Sequence, residues 1–163
     1  NNAGINRPRP FLEMDEETFD ALYDVNVRAA YFVAQAVARG MAGAGRGGVI
    51  VNVSSQMGVV GGQNRTVYCG TKHAVEGMTK AMALELAPHG IRVVTVAPTF
   101  VETALAAKAL ADPATRADIL ARIPLGRLAS VEEVAAAVVY LCSPAAAMVT
   151  GTHLLVDGGW TAQ

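Results

Sequence analysis

An excess of either charge is missing from this sequence: 13 lysines and arginines stand against 14 aspartates and glutamates, for a net charge of -1. Without a basic surplus there is no electrostatic footprint for nucleic acid or for an anionic membrane surface, and neither partner is expected. Cysteine is scarce as well. Cys69 and Cys142 form no CxxC pair and cannot build a disulfide framework, so a reduced, cytoplasmic setting is expected. No apolar run reaches the roughly 18 residues of a spanning helix, and no basic-then-apolar leader opens the chain. The histidines, His73, His89 and His153, share no ligand spacing, and no metal is expected. An initiating methionine is lacking too: the chain opens Asn1-Asn2, as a piece of a longer polypeptide would.

What is present is apolar. Hydrophobic residues make up 52% and charged residues 17% of 163, enough for a core and against disorder. That length predicts one domain spanning 1–163. Apolar blocks of helical and strand length alternate, which predicts an α/β chain. Glu13 to Met41 reads as helix opened by Asp15. Val49 to Val53 reads as a strand buried on both faces, and Thr66 to Ala87 as a long helix stopped by Pro88 and Gly90. Arg92 to Ala97 is the next strand. One or two short helices fill Thr103 to Arg122, broken at Asp112-Pro113. Ser130 and Glu133 form a capping box for the last helix, and Leu154 to Val156 is a final strand. Strands separated by helices predict a parallel sheet, whose ligands gather at the strands' carboxyl ends.

Gly43 to Gly48 fits the G-x-G-x-x-G dinucleotide fingerprint letter for letter. That loop works only when a strand precedes it and a helix follows, because the helix N-terminus supplies the amides that hold pyrophosphate. Here a helix precedes and a strand follows, so a plain connection is expected.

Tyr68 and Lys72 lie four apart on the long helix and project from one face. A tyrosine with a pKa near ~10 is a poor proton donor or acceptor at neutral pH. A neighbouring ammonium favours the phenolate and brings that pKa towards the working range. Ser55 ends the strand in Val49-Ile50-Val51-Asn52-Val53-Ser54-Ser55, thirteen residues before Tyr68.

These residues, with Asn1-Asn2-Ala3-Gly4, Asp24-Val25-Asn26-Val27, Pro98 to Thr103 and Val156-Asp157-Gly158-Gly159, resemble the classical short-chain dehydrogenase/reductase family, its 3-oxoacyl-reductase-like and sugar-alcohol-dehydrogenase-like members in particular. The resemblance implies a Rossmann-type doubly wound parallel sheet, here in its C-terminal portion only, because nothing matches the family's front strands and their glycine-rich loop. It implies Tyr68 as acid-base residue, Lys72 as its partner and ribose ligand, Ser55 as hydrogen-bond donor to the reacting oxygen, and Asn26 as holder of a relay water. Asn2, Ala3 and Gly4 would line the adenosine side of the cofactor, and Pro98, Val101 and Thr103 its nicotinamide side.

The cofactor implied is NAD or NADP, the choice not being readable here. The implied substrate is a small alcohol or ketone, and the implied assembly a homodimer or homotetramer through the helix carrying Gly70, Ala74, Gly77 and Ala81. Thr99 and the Gly70-Thr71 pair depart from the family's usual glycine and Ala-Ser. Two other readings stay open: a dehydratase or epimerase on a related scaffold, and a truncated, non-catalytic subunit. Residues 1–163 alone are expected not to bind a dinucleotide tightly. Arg65 reads as a solvated loop arginine that could also meet an anionic substrate, and Cys69 as a small buried residue.

Overall fold

The computed structural model describes residues 1–103, 106–107 and 110–163. Three strands, β1 (Gly48–Val53), β2 (Ile91–Pro98) and β3 (His153–Val156), pair in parallel in the order β1-β2-β3. Residues alternate across the sheet, as strand geometry demands. From β1 and β2, Ile50, Ile91 and Val93 meet Ala34, Ala38 and Ala83 of α2 (Ala30–Ala44) and α3 (Thr66–Leu86). On the other face Val94 and Val96 meet Leu141, Val134 and Val138 of α5 (Val131–Cys142). Helices on both faces of a parallel sheet make this a Rossmann-type doubly wound arrangement, as expected.

The helix expected over 13–41 runs without a break from 16 to 44, with a defect in it. Asp15 caps α1 (Glu16–Tyr23), its carboxylate accepting from the Thr18 amide at 2.7 Å. A π-helical stretch, Asp24–Ala29, then carries Asn26 before α2 resumes. Such bulges widen the helix by one residue per turn and gather at functional sites. Periodicity of apolar residues cannot show one.

The glycine-rich segment follows α2 and runs into β1, the order that rules out a phosphate loop. Its glycines have a packing reason. At Gly47, with φ +64°, a Cβ would lie 2.6 Å from the Gly90 carbonyl oxygen, so only glycine lets the two turns meet. The break expected at Asp112-Pro113 is present, and Asp112 uses it as an N-cap: it accepts from the Thr115 amide and starts α4 (Pro113–Ala121). The expected helix between 103 and 112 falls partly outside the described residues.

The β1 strand was expected to be buried on both faces, yet only Ile50 and Asn52 are buried, while Val49, Val51 and Val53 are half-buried. It lies at the edge of the described sheet. Asn1 pairs along that edge: its amino group donates to the Val51 carbonyl at 2.9 Å, and its carbonyl accepts from the Val53 amide at 2.8 Å.

Candidate active site

The carboxyl end of β1 delivers the first residue. After Val53 the chain passes Ser54 and turns through a short 3-10 helix, Gln56–Gly58, capped by Ser55. The Ser55 oxygen accepts from the Met57 amide at 3.1 Å, and its hydroxyl hydrogen serves the Tyr68 phenol oxygen. Gly58 makes the turn possible, because a Cβ there would stand 2.8 Å from the Ser54 hydroxyl and 3.1 Å from the Lys72 carbonyl oxygen.

The α3 helix lies against this turn and presents Tyr68 and Lys72 from one face. Lys72 is 5% exposed, and its ammonium donates to the Val53 carbonyl at 3.0 Å. Burial lowers its pKa to about 8, against the opposing pull of the Glu76 carboxylate one turn further on. The Lys72 nitrogen sits 5.7 Å from the centre of the Tyr68 ring.

The phenol itself departs from expectation. Burial pushes the Tyr68 pKa above its usual value; the Ser55 hydroxyl and the Arg65 charge pull it back. The Lys72 ammonium is turned to the Val53 carbonyl, and the charge that draws the phenol pKa down is that of Arg65.

Asn26, 2% exposed, clamps the N-terminal segment. Its amide oxygen accepts from the Ile5 amide at 2.8 Å while its amide nitrogen donates to the Ile5 carbonyl at 2.9 Å and to the Thr71 hydroxyl at 3.2 Å. Both donor hydrogens are therefore committed. Gly4 follows from that clamp: a Cβ on it would lie 3.4 Å from the Asn26 amide oxygen and 3.7 Å from the Lys72 nitrogen. Gly4, Asn26 and Lys72 thus converge on one point. Asn2 and Ala3 are exposed beside it.

The remaining expected positions lie past the end of β2. Pro98 closes the strand, Thr99 donates its amide to the Val156 carbonyl, and the Thr99 hydroxyl is buried without a partner. Val101 bridges to Ala129. Thr103 is exposed, and its hydroxyl oxygen accepts from the Ala106 amide at 3.2 Å. Among the described residues no cluster of three His, Cys, Asp or Glu could hold a metal, and no helix is long and apolar enough to cross a membrane.

The family model described as enoyl-(acyl carrier protein) reductase matches residues 1–161. The L-xylulose reductase of Bos taurus is 48% identical over 162 residues, 99% of this chain and 66% of that protein. The chain belongs to the short-chain dehydrogenase/reductase family. The D-erythrulose reductase of Gallus gallus is 44% identical over 98% of this chain and 65% of its own. Among solved structures, a gluconate 5-dehydrogenase from Burkholderia cenocepacia J2315 in complex with NADP and tartrate superposes with a TM-score of 0.94 at 36% identity, covering 99% of this chain and 63% of that one. The chain thus spans about two thirds of the length of the dehydrogenase/reductase relatives it matches.

Sequence reasoning missed the support beneath this site. Glu76, 6% exposed, accepts from the Thr95 hydroxyl at 2.9 Å and lies 3.8 Å from the His153 ring nitrogen. Asn52 donates to the Thr79 hydroxyl at 2.9 Å and accepts from the Asn1 side chain at 2.9 Å. Glu76 could have been found: it continues the four-residue step from Tyr68 to Lys72. Asn52 carried its own signal as the one polar residue in an otherwise β-branched strand.

Proposed function

We propose that the protein is an NAD(P)-dependent oxidoreductase that interconverts a secondary alcohol and its ketone, with Tyr68 as the proton donor and acceptor. The observation that carries this reading is the convergence of Tyr68, Ser55 and Lys72 at the carboxyl end of β1, where doubly wound sheets hold their ligands.

The residues present fit a dinucleotide's nicotinamide half. Gly4 leaves open a space between Asn26 and Lys72 that a side chain would fill, and the buried Thr99 hydroxyl lacks a partner. Asn2, Ala3, Gly4, Pro98, Val101 and Thr103 would hold the cofactor together with Tyr68 and Lys72. The cofactor, when bound, supplies the hydride. NAD and NADP are both open, because the residues that choose between them are not among those matched here.

Every other step belongs to the chain's own groups. With substrate bound, Ser55 turns its hydroxyl hydrogen from the phenol to the substrate oxygen and polarises it. Tyr68 gives or takes the proton at that same oxygen. Lys72, with a pKa of about 8, can both release and recover a proton near neutral pH and so recharge the phenol. Asn26 acts through Ile5 and Thr71, holding the N-terminal segment and helix α3 in register. With its donors committed there, a relay water has the second lone pair of its amide oxygen or a backbone carbonyl as anchor.

The substrate class follows two leads: two relatives are reductases of ketoses and one is a gluconate dehydrogenase. Exposed apolar side chains on α2 (Phe32, Val33 and Val37) and on α3 (Leu84) support a homodimer or homotetramer. The complete enzyme should turn over a secondary alcohol with NAD or NADP, read as nicotinamide absorbance. Tyr68→Phe should lower that rate by about 10²–10⁴-fold with cofactor binding retained. A variant as active as its parent would remove Tyr68 from the mechanism.

A further inference from the structure

Arg65 stands three residues before Tyr68, at the entry to α3, where i and i+3 side chains share a face. It is half-buried, and its Nε is fully buried with no hydrogen-bond partner. The other partnered arginines are accounted for: Arg9, Arg28, Arg122 and Arg127 pair with Asp15, Asp24, Asp118 and Glu133, and Arg92 donates to the Leu141 and Val149 carbonyls. Arg7, Arg39, Arg46 and Arg116 are exposed and need no partner. Among the described residues Arg65 alone is an arginine with a buried guanidinium nitrogen, its Nε, left without a hydrogen-bond partner.

Its position is enforced. The Arg65 amide donates to the Gly62 carbonyl at 3.1 Å, and its carbonyl accepts from the Cys69 amide at 2.7 Å. A Cβ at Gly62 would stand 3.2 Å from the Arg65 Cβ and 3.0 Å from the Met57 sulfur, so the loop is shaped to let this side chain in. The neighbouring Asn64, in the left-handed region at φ 57°, is tied to the N-terminal segment through the Arg9 amide at 3.0 Å. Leaving a buried guanidinium N–H unpaired is costly, and an anionic ligand beside it relieves that cost.

We propose that Arg65 is a substrate-carboxylate site, and that the enzyme acts on hydroxy or oxo acids of the sugar-acid type rather than on neutral polyols and ketoses. The planar guanidinium fork matches a carboxylate with two parallel bonds. Its place beside the phenol puts the carboxylate a few carbons from the reacting carbinol. This rests on the reading of Tyr68 given above and adds the substrate's charge to it.

The test uses a matched pair that differs only at one end, gluconate and sorbitol, with the complete enzyme and its cofactor. The enzyme should prefer gluconate in kcat/KM. Arg65→Gln should reduce the gluconate-to-sorbitol ratio by about 10–100-fold, mainly through KM, and Arg65→Lys should restore part of it. A ratio unchanged in Arg65→Gln, or a parent enzyme that prefers sorbitol, overturns the proposal. Titrating tartrate into the enzyme–cofactor complex by calorimetry is independent of turnover. Binding weakened at least about tenfold in Arg65→Gln supports the site even if hydride transfer is absent, in which case the oxidoreductase reading alone has failed. Equal tartrate binding by parent and variant, both melting alike, overturns it.

Discussion

Helices α3 and α5 cover opposite faces of one three-stranded sheet, and they do so with different side chains. Towards the sheet α3 buries Lys72, Glu76 and Thr79 among its apolar residues, and these meet Val53, Thr95 and Asn52 through hydrogen bonds. The contact of α5 is apolar: Leu141, Val134, Ala137 and Val138 lie on Val94 and Val96. Its polar bonds are confined to its two ends, where Ser130 and Glu133 cap the start and Arg92 reaches the Leu141 carbonyl at 2.8 Å. Apolar packing is tolerant of direction, whereas a hydrogen bond fixes distance and angle. The face that must place a phenol and an ammonium is the one built from bonds.

If that contrast holds, the largest single loss of stability comes from the apolar side. Leu141 is 1% exposed, and Leu141→Ala should cost about 2–5 kcal/mol in urea unfolding of the complete protein. Activity measured below the transition should be nearly unchanged. A loss under about 1 kcal/mol would mean that the α5 face collapses around the missing atoms and is not held by close packing.

On the polar side the signature is pH. The pKa of Lys72 is about 8 in the folded chain against 10.5 ordinarily, so between these values the unfolded state binds more protons and stability rises with pH. Below about pH 8 both states are charged, and this group gives no slope. Tyr68 and Cys69, whose pKa values are raised by burial, act in the opposite sense at the alkaline end. Comparison with Lys72→Met isolates the lysine. From pH 7 to 10 the parent should gain about 2–3 kcal/mol relative to the variant. Parallel curves would show that the lysine stays fully solvated.

Thr79→Val comes next, since it keeps the shape and removes one hydroxyl. Thr79 is fully buried, and its hydroxyl is the partner of the Asn52 amide. The stranded donor should cost about 1–3 kcal/mol. Because Asn52 also holds Asn1, the substitution should speed hydrogen exchange at the Val53 amide, which is bonded to the Asn1 carbonyl. A neutral Thr79→Val would place the two faces on the same footing.

The two helices also differ in how far the sequence disclosed them. For α5 the capping box and the apolar spacing gave both the start and the buried stripe, because each is a local pattern within a few residues. For α3 the sequence disclosed Tyr68, Lys72 and, with Ser55, the resemblance to a family. It did not disclose the bonds from Glu76 to Thr95 or from Asn52 to Thr79, which join residues 19 and 27 apart. Nor could it give the direction of the Tyr68 shift, which depends on which cation faces the oxygen and how much water is excluded. The π-helical turn at Asn26 was invisible for a third reason: one inserted residue changes the hydrogen bonding but leaves the apolar spacing nearly intact.

The smallest effect tests whether the ends of α5 matter as much as its middle. The Ser130 hydroxyl accepts from the Glu133 amide at 3.1 Å, and the Glu133 carboxylate accepts from the Ser130 amide at 2.8 Å. An N-cap serine is typically worth ~1 kcal/mol. Here the loss should fall towards about 0.5 kcal/mol, because Ser130→Ala removes only one of the two reciprocal bonds. The Glu133 carboxylate keeps its hold on the helix start, fixed by Arg127 through bonds of 2.6 and 2.8 Å that hold its pKa at about 2. That support is exposed and ionic, so added salt should weaken it and enlarge the effect of Ser130→Ala. Hydrogen exchange at the Glu133 amide, with urea unfolding in low and high salt, reads both quantities. A loss equal to that of Leu141→Ala would show that α5 is held from its end, and the apolar account of that face would fall.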